Sequence, residues 1–163
     1  MRVLVASHAD IPTIMPIERG EGYARLVGRW DAEQHAREMD NPGSRYFLAH
    51  DGSGVVAFAI LQYLNSPNHC IRLKRIAARQ AERGVGSRFL AMLLKTCFDE
   101  LAAHRVELLV HMENERARRV YERAGFIVEG VLRDFHRDAD GTFRSMRLMS
   151  VLQADWMAQQ RHG

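Results

Sequence analysis

Five consecutive residues, Arg83-Gly84-Val85-Gly86-Ser87, lie between an apolar run at 73–78 and an amphipathic run at 89–102. The order reads strand, glycine turn, helix, and such a junction suits a phosphate. Glycine lets the backbone turn tightly and approach a ligand closely. The first N–H groups of a helix lack partners, and its dipole favours an anion at that end. Arg83 adds a charge and Ser87 a hydroxyl. The spacing lacks the third glycine of a dinucleotide fingerprint and the Lys-Ser/Thr of a triphosphate loop, so it does not specify which phosphate compound is held. A glycine turn that serves only helix entry is the alternative reading.

A second pattern follows downstream, Asn114-x-x-Ala117-x-x-x-Tyr121-x-x-x-Gly125-Phe126. Ala117, Val120, Tyr121 and Ala124 make one helical stripe. Asn114 suits an N-cap, and Gly125 sits where a helix ends in a left-handed residue. Taken alone, this is a capped amphipathic helix carrying a half-buried tyrosine.

Together and in this order, the two patterns resemble the GNAT superfamily of N-acetyltransferases. Further on, Glu129-Gly130-Val131-Leu132-Arg133-Asp134, then Asp140-Gly141 and Met149-Ser150-Val151-Leu152, are similar to the branch that includes ribosomal-protein N-terminal and diamine acetyltransferases. The resemblance covers residues 44–156, with earlier residues fitting by element order. It implies an α/β (α+β) fold: a mixed, mostly antiparallel sheet of about seven strands with one central parallel pair, flanked by about four helices. The chain departs from the family's loop at Ala81, which replaces an arginine or glutamine, and at Glu82, where glycine is common. Phosphate binding therefore leans on backbone amides, Arg83 and Ser87.

The reaction implied is transfer of an acetyl group from acetyl-CoA to a primary amine, with no metal. The diphosphate falls to residues 81 to 87, through Ala81, Arg83, Gly84, Val85, Gly86 and Ser87. The end of the preceding strand, Ile76 and Ala78, offers backbone groups to the amide-bearing arm of the cosubstrate. Asn114, Arg116 and Ala117 face that arm from the other side. Tyr121 is the expected general acid, since a phenol near pKa ~10 is protonated at neutral pH. His111, closing the strand before the helix at 114–124, and Glu18 or Glu21 near the first helix are the candidate bases, and a water chain is the alternative. Glu18, Glu21 and Asp134 suit a cationic acceptor if they converge. The acceptor class stays open among small amines, amino acid derivatives, peptides and protein N-termini. A CoA-binding regulatory module without turnover is the competing function, and a nucleotide-binding domain of another type is a third.

The elements that must position these residues are legible from periodicity. Residues 2–7 read as a strand, 11–19 as a helix with Pro12 in its first turn, and 31–39 as a short helix started by Asp31. The stretch 23–30 is ambiguous. Residues 45–50 and 55–64 flank a tight turn as a hairpin, and 70–78 is the fourth strand. From Gly84, the residues Leu90, Leu93, Leu94, Cys97, Phe98 and Leu101 keep helical spacing. Strand 105–110, helix 114–124, strands 126–135 and 142–152, and a terminal helix from Asp155 complete the chain. Strand, long helix, strand implies a parallel pair joined by a right-handed crossover.

At 163 residues the chain suits one domain, residues 1–163, and its composition of 47% hydrophobic and 26% charged residues is that of an ordinary globular protein. A net charge of +3 and a helix face bearing Arg116, Arg118, Arg119 and Arg123 read as a solvated surface rather than a nucleic-acid patch. No apolar run is long enough to cross a bilayer and no secretory pattern opens the chain, so a cytoplasmic protein without membrane partners is expected. Cys70 and Cys97 are too few for a disulfide framework and fall in core elements. A homodimer pairing residues 142–152 across subunits is an expectation by analogy of fold alone.

Overall fold

The computed structural model describes residues 1–23, 26–80 and 84–161. The first strand, β1 (Arg2–Val5), leads through a single 3-10 turn to α1 (Ile11–Glu18). Helix α2 (Ala32–Met39) starts at Asp31, whose side chain accepts from Gln34 N at 2.7 Å while the Gln34 side chain accepts from Asp31 N at 2.9 Å. That reciprocal cap fixes where the helix begins. The hairpin β2 (Arg45–Asp51) and β3 (Gly54–Gln62) precedes β4 (Cys70–Ala78), α3 (Val85–Lys95) and β5 (Arg105–His111). After these come α4 (Glu115–Arg123), β6 (Ile127–Arg137), β7 (Phe143–Leu152) and α5 (Gln153–Gln160).

The seven strands form one sheet in the order β1-β2-β3-β4-β5-β7-β6, antiparallel except for the pair β4 and β5. This is the mixed sheet the sequence predicts, with five α-helices among the described residues rather than four. Both faces of the central strands are covered. On one, Phe47, Ala59, Leu73, Val106, Leu108 and Met149 pack under α3 residues Phe89, Leu90 and Leu93. On the other, Tyr46, Leu48, Phe58 and Ile60 pack against Ile14 and Ile17 of α1. The expected stripe of α4, Ala117, Val120, Tyr121 and Ala124, lies half-buried against the first cluster.

Two departures from regularity shape the molecule. The long helix does not continue evenly to Leu101: it widens into a π turn over Thr96–Glu100, which buries Cys97 and Phe98, with the Phe98 ring 5.1 Å from Trp156. Strand β4 pairs with β5 only at Cys70, Ile71 and Arg72. Beyond Arg72 the two parallel strands part, and a wedge opens toward their C-terminal ends.

Strand β7 lies between β5 and β6, hydrogen-bonded on both sides, so residues 142–152 have no free edge for cross-subunit pairing. The outer strand at that end of the sheet is β6. Among the described residues no helix is long and apolar enough to cross a membrane.

Candidate active site

The wedge between β4 and β5 continues into a cleft of about 1240 Å³. Its lining joins the end of β4, the start of α3, the tip of β5, helix α4, the segment between α1 and α2, and the β6–β7 turn.

Helix α3 opens at this cleft. Gly84 precedes it with φ +67°, a left-handed conformation that L side chains rarely adopt, and a Cβ there would meet nothing within 4 Å. The first bond of the helix is Arg88 N to Gly84 O at 3.1 Å, and no side chain caps the amides before it. Those amides belong to Val85, Gly86 and Ser87. Gly84, Gly86 and Ser87 line the cleft, whereas the Val85 side chain packs into the core and leaves only its backbone to the turn. Ala81 and Arg83, with Glu82, lie outside the described residues.

The edge of β4 that faces the wedge is partly taken. The Tyr23 hydroxyl donates to Ala78 O at 3.0 Å and accepts from Ala78 N at 3.1 Å. The expectation that Ala78 offers a free backbone pair is therefore corrected, because a side chain 55 positions away supplies both partners. Ile76, in the same phase on the strand, also lines the cleft and keeps its edge toward the wedge.

Across the cleft, Asn114 caps α4, its side-chain oxygen accepting from Ala117 N at 3.1 Å. Its amide NH2 remains available at the lining, beside Arg116 and Ala117. Tyr121 is on the same wall, its ring 5.7 Å from Phe126. Burial, with a smaller push from Tyr23, raises the Tyr121 hydroxyl to about 12, so the phenol holds its proton throughout the neutral range.

Val106, Leu108 and Val110 of β5 point into the core under α3, so alternation sends Glu107, Leu109 and His111 to the opposite face. His111 is 7% exposed and its Nδ1 is buried without a hydrogen-bond partner. Burial, then Arg144 and His136, holds its imidazole below the usual histidine range. The His136 ring stands edge-on at 5.2 Å, with its Nε2 3.4 Å from Asp138. Asp138 in turn pairs with Arg144 at 2.7 Å. His136, at a strand edge in the sequence, is thus joined to His111 by a turn that periodicity does not reveal.

The three carboxylates expected to face a cationic acceptor do not converge. Glu18 is wholly buried: Oε2 accepts from Arg75 at 2.7 Å, while Oε1 contacts His35 at 3.2 Å and accepts from Trp30 N at 3.1 Å. Every face of that carboxylate is used inside the fold. Asp134 sits at φ +48° in the bulge between Leu132 and His136, on the exposed side of β6, and the bulge turns Phe135 and His136 rather than Asp134 into the cleft. Glu21 is an exposed turn residue outside the lining, which begins at Gly22.

Sequence reasoning missed the segment after α1. Trp30 stacks over Arg75, with the guanidinium 4.5 Å from the ring centroid, and Tyr23, Trp30 and Arg75 all line the cleft. A run without periodicity gave no signal for them. Among the described residues, no group of three or more His, Cys, Asp or Glu is placed to hold a metal ion.

Comparison with known proteins gives the family. Residues 12–126 match the model of the acetyltransferase (GNAT) family, and the chain belongs to that family. It is 29% identical over 101 residues to the L-amino acid N-acetyltransferase AaaT of Escherichia coli, a match spanning 58% of this chain and 60% of that one. The chain spans about 60% of the length of the curated relatives it matches. Among solved structures, a mutant of the spermidine N-acetyltransferase SpeG from Vibrio cholerae superposes with TM-score 0.83 at 17% identity, covering 98% of this chain and 99% of that one. A chimera of SpeG from Vibrio cholerae and hSSAT gives 0.82 at 19%, covering 96% and 97%. These two likenesses establish the fold.

Proposed function

We propose that the protein is an acetyl-CoA-dependent N-acetyltransferase that acts on a primary amine by direct attack. The observation that carries this reading is the parting of β4 from β5 at Arg72, which opens a cleft running from the uncapped start of α3 to the Tyr121 phenol and the His111 imidazole. The residues present fit the cosubstrate. Uncapped amides of Val85, Gly86 and Ser87 suit a diphosphate. The Ile76 edge and the Asn114 amide suit an arm bearing amide groups.

Acetyl-CoA supplies a thioester, whose C–S bond breaks as the amine nitrogen forms the new C–N bond. Residues of the chain manage the protons. An alkylammonium of pKa ~10.4 must lose a proton before it attacks. His111, uncharged at neutral pH and part of the cleft lining, accepts that proton, and the half-exposed His136 beside it passes it to solvent. Tyr121 holds its proton firmly and donates it to the departing sulfur, and the second proton that the nitrogen sheds as the amide forms restores the phenol. The lining near the α1–α2 segment receives the acceptor, and the relative named as an L-amino acid N-acetyltransferase makes amino acid derivatives one class to try, beside small amines and protein N-termini.

The test is an acceptor screen read by thiol release. Amine-dependent release of one thiol per amine acetylated is expected. Binding of acetyl-CoA without release across a broad amine panel would instead point to a CoA-binding regulatory module.

A further inference from the structure

Strand β4 carries three cations within four residues, Arg72, Lys74 and Arg75, and all three line the cleft. Their positions follow from a register shift: Ile60 pairs with Arg75 and Leu61 with Leu73, so Lys74 is the extra residue of a bulge. The flanking cations are matched by carboxylates beneath them. Arg72 donates through Nε to Glu107 at 3.0 Å, and Arg75 pairs with the buried Glu18 at 2.7 Å. Among the described residues Lys74 has no carboxylate within ion-pair distance. Burial of its stem, then repulsion from Arg75 and Arg72, holds its ammonium below the usual lysine range. Glu38 offsets this only in part and makes no ion pair with Lys74, so among the described residues the local balance is positive. Arg29 adds a further positive charge to the same lining.

The acids of the cleft do not offset it. Glu113, Asp138 and Asp140 line the side toward the β6–β7 turn. Asp138 is bound by Arg144 at 2.7 Å, Glu113 lies 3.8 Å from the same guanidinium, and Asp140 accepts from Thr142 N and Oγ1 at 2.9 and 2.6 Å. A polycationic acceptor would find engaged acids on one wall and an unmatched lysine on the other.

We propose that the acceptor is an amine that carries its own carboxylate, of the α-amino acid class, with that carboxylate seated against Lys74. This assignment rests on the acetyltransferase reading above and deepens it. The chemistry is coherent at both ends of such an acceptor. The carboxylate completes the cation of β4 that has no ion-pair partner among the described residues. Arg29, a further positive charge of that lining, disfavours the ammonium form of the neighbouring amine and eases its deprotonation before attack. Polyamines, lacking the carboxylate and carrying extra charge, are repelled.

The experiment compares three acceptors by thiol release: an α-amino acid, its carboxamide and spermidine, with the wild type, Lys74→Met and Lys74→Arg. Lys74 is exposed at the cleft, so neither variant disturbs the core. In the wild type the acid is preferred over the amide by about 10- to 100-fold in kcat/KM, the worth of one charge-assisted hydrogen bond, and spermidine is the poorest. Lys74→Met brings the acid-to-amide ratio close to one, and Lys74→Arg keeps most of it. A wild-type preference for spermidine or the amide, or a ratio indifferent to Lys74→Met, overturns the acceptor assignment and leaves acetyl transfer standing. Absence of thiol release with every acceptor, while acetyl-CoA still protects the protein from unfolding, overturns the acetyltransferase reading and this assignment with it.

Discussion

Replacing Glu18 by glutamine separates two roles that its sequence position allows, acceptor contact and internal strut. The carboxylate is wholly buried and holds Arg75, His35 and the Trp30 amide together. The glutamine keeps the shape and one carbonyl oxygen but strips the charge that offsets a guanidinium whose side chain is 4% exposed. Breaking a buried pair on one side costs about 3–5 kcal/mol, because the remaining charge has neither water nor partner. For a chain of this size each kcal/mol moves Tm by about 2–4 °C, so the melting temperature should fall by roughly 6–20 °C. Differential scanning calorimetry and urea titration measure it. The double variant Glu18→Leu with Arg75→Met removes both charges, and its loss should be far smaller than the sum of the two single losses. A Glu18→Gln protein that melts within about 1 °C of the wild type, but with a raised KM for the acceptor, would refute the strut and restore the carboxylate to the substrate.

Other expectations concern the cleft. Tyr121→Phe keeps the ring and removes the proton, so kcat should fall by about 10²-fold or more with the acetyl-CoA KM little changed. With His111 held below the usual range by burial, Arg144 and His136, kcat should rise with pH through a value below ~6.5 and then level off. His111→Gln should lower kcat and flatten that limb. Because the folded pKa is depressed, neutral His111 stabilises the fold above its unfolded pKa, and that contribution is lost as pH falls through the folded value. Urea titrations of wild type and His111→Gln at several pH values check it. Gly84→Val forces a β-branched residue to φ +67° at a cost of roughly 1–2 kcal/mol and should raise the acetyl-CoA Kd by about tenfold, measured by calorimetry.

The sequence exposes local structure better than it exposes convergence. The glycine turn before α3 and the Asn114 cap are legible because each rests on residues three or four positions apart. So does the α4 stripe, which places Tyr121 at the cleft. Glu18 was misread as available because its burial depends on His35, 17 positions away, and Arg75, 57 away. Only the stacking of α1 and α2 on the sheet brings them together. Tyr23 escaped notice for the same reason, since nothing near it in the chain signals that its hydroxyl completes Ala78. The bulge at Lys74 arises from how β3 and β4 pair, and the bulge at 132–136 decides that His136 rather than Asp134 enters the cleft. Both registers are set across strands, where spacing along one strand gives no warning. The π turn at Thr96–Glu100 likewise reflects what α3 packs on, with Phe98 drawn toward Trp156 near the far end of the chain.

The central claim is that the parted strands and the start of α3 hold the cosubstrate. Backbone amide resonances followed during titration with acetyl-CoA test it most directly. The largest shifts should fall on Gly84, Val85, Gly86 and Ser87, with a second group at Ile76 and Asn114, and ATP or NAD at the same concentration should leave them unmoved. Saturable shifts confined to another face of the sheet, with residues 84–87 silent, would contradict the account.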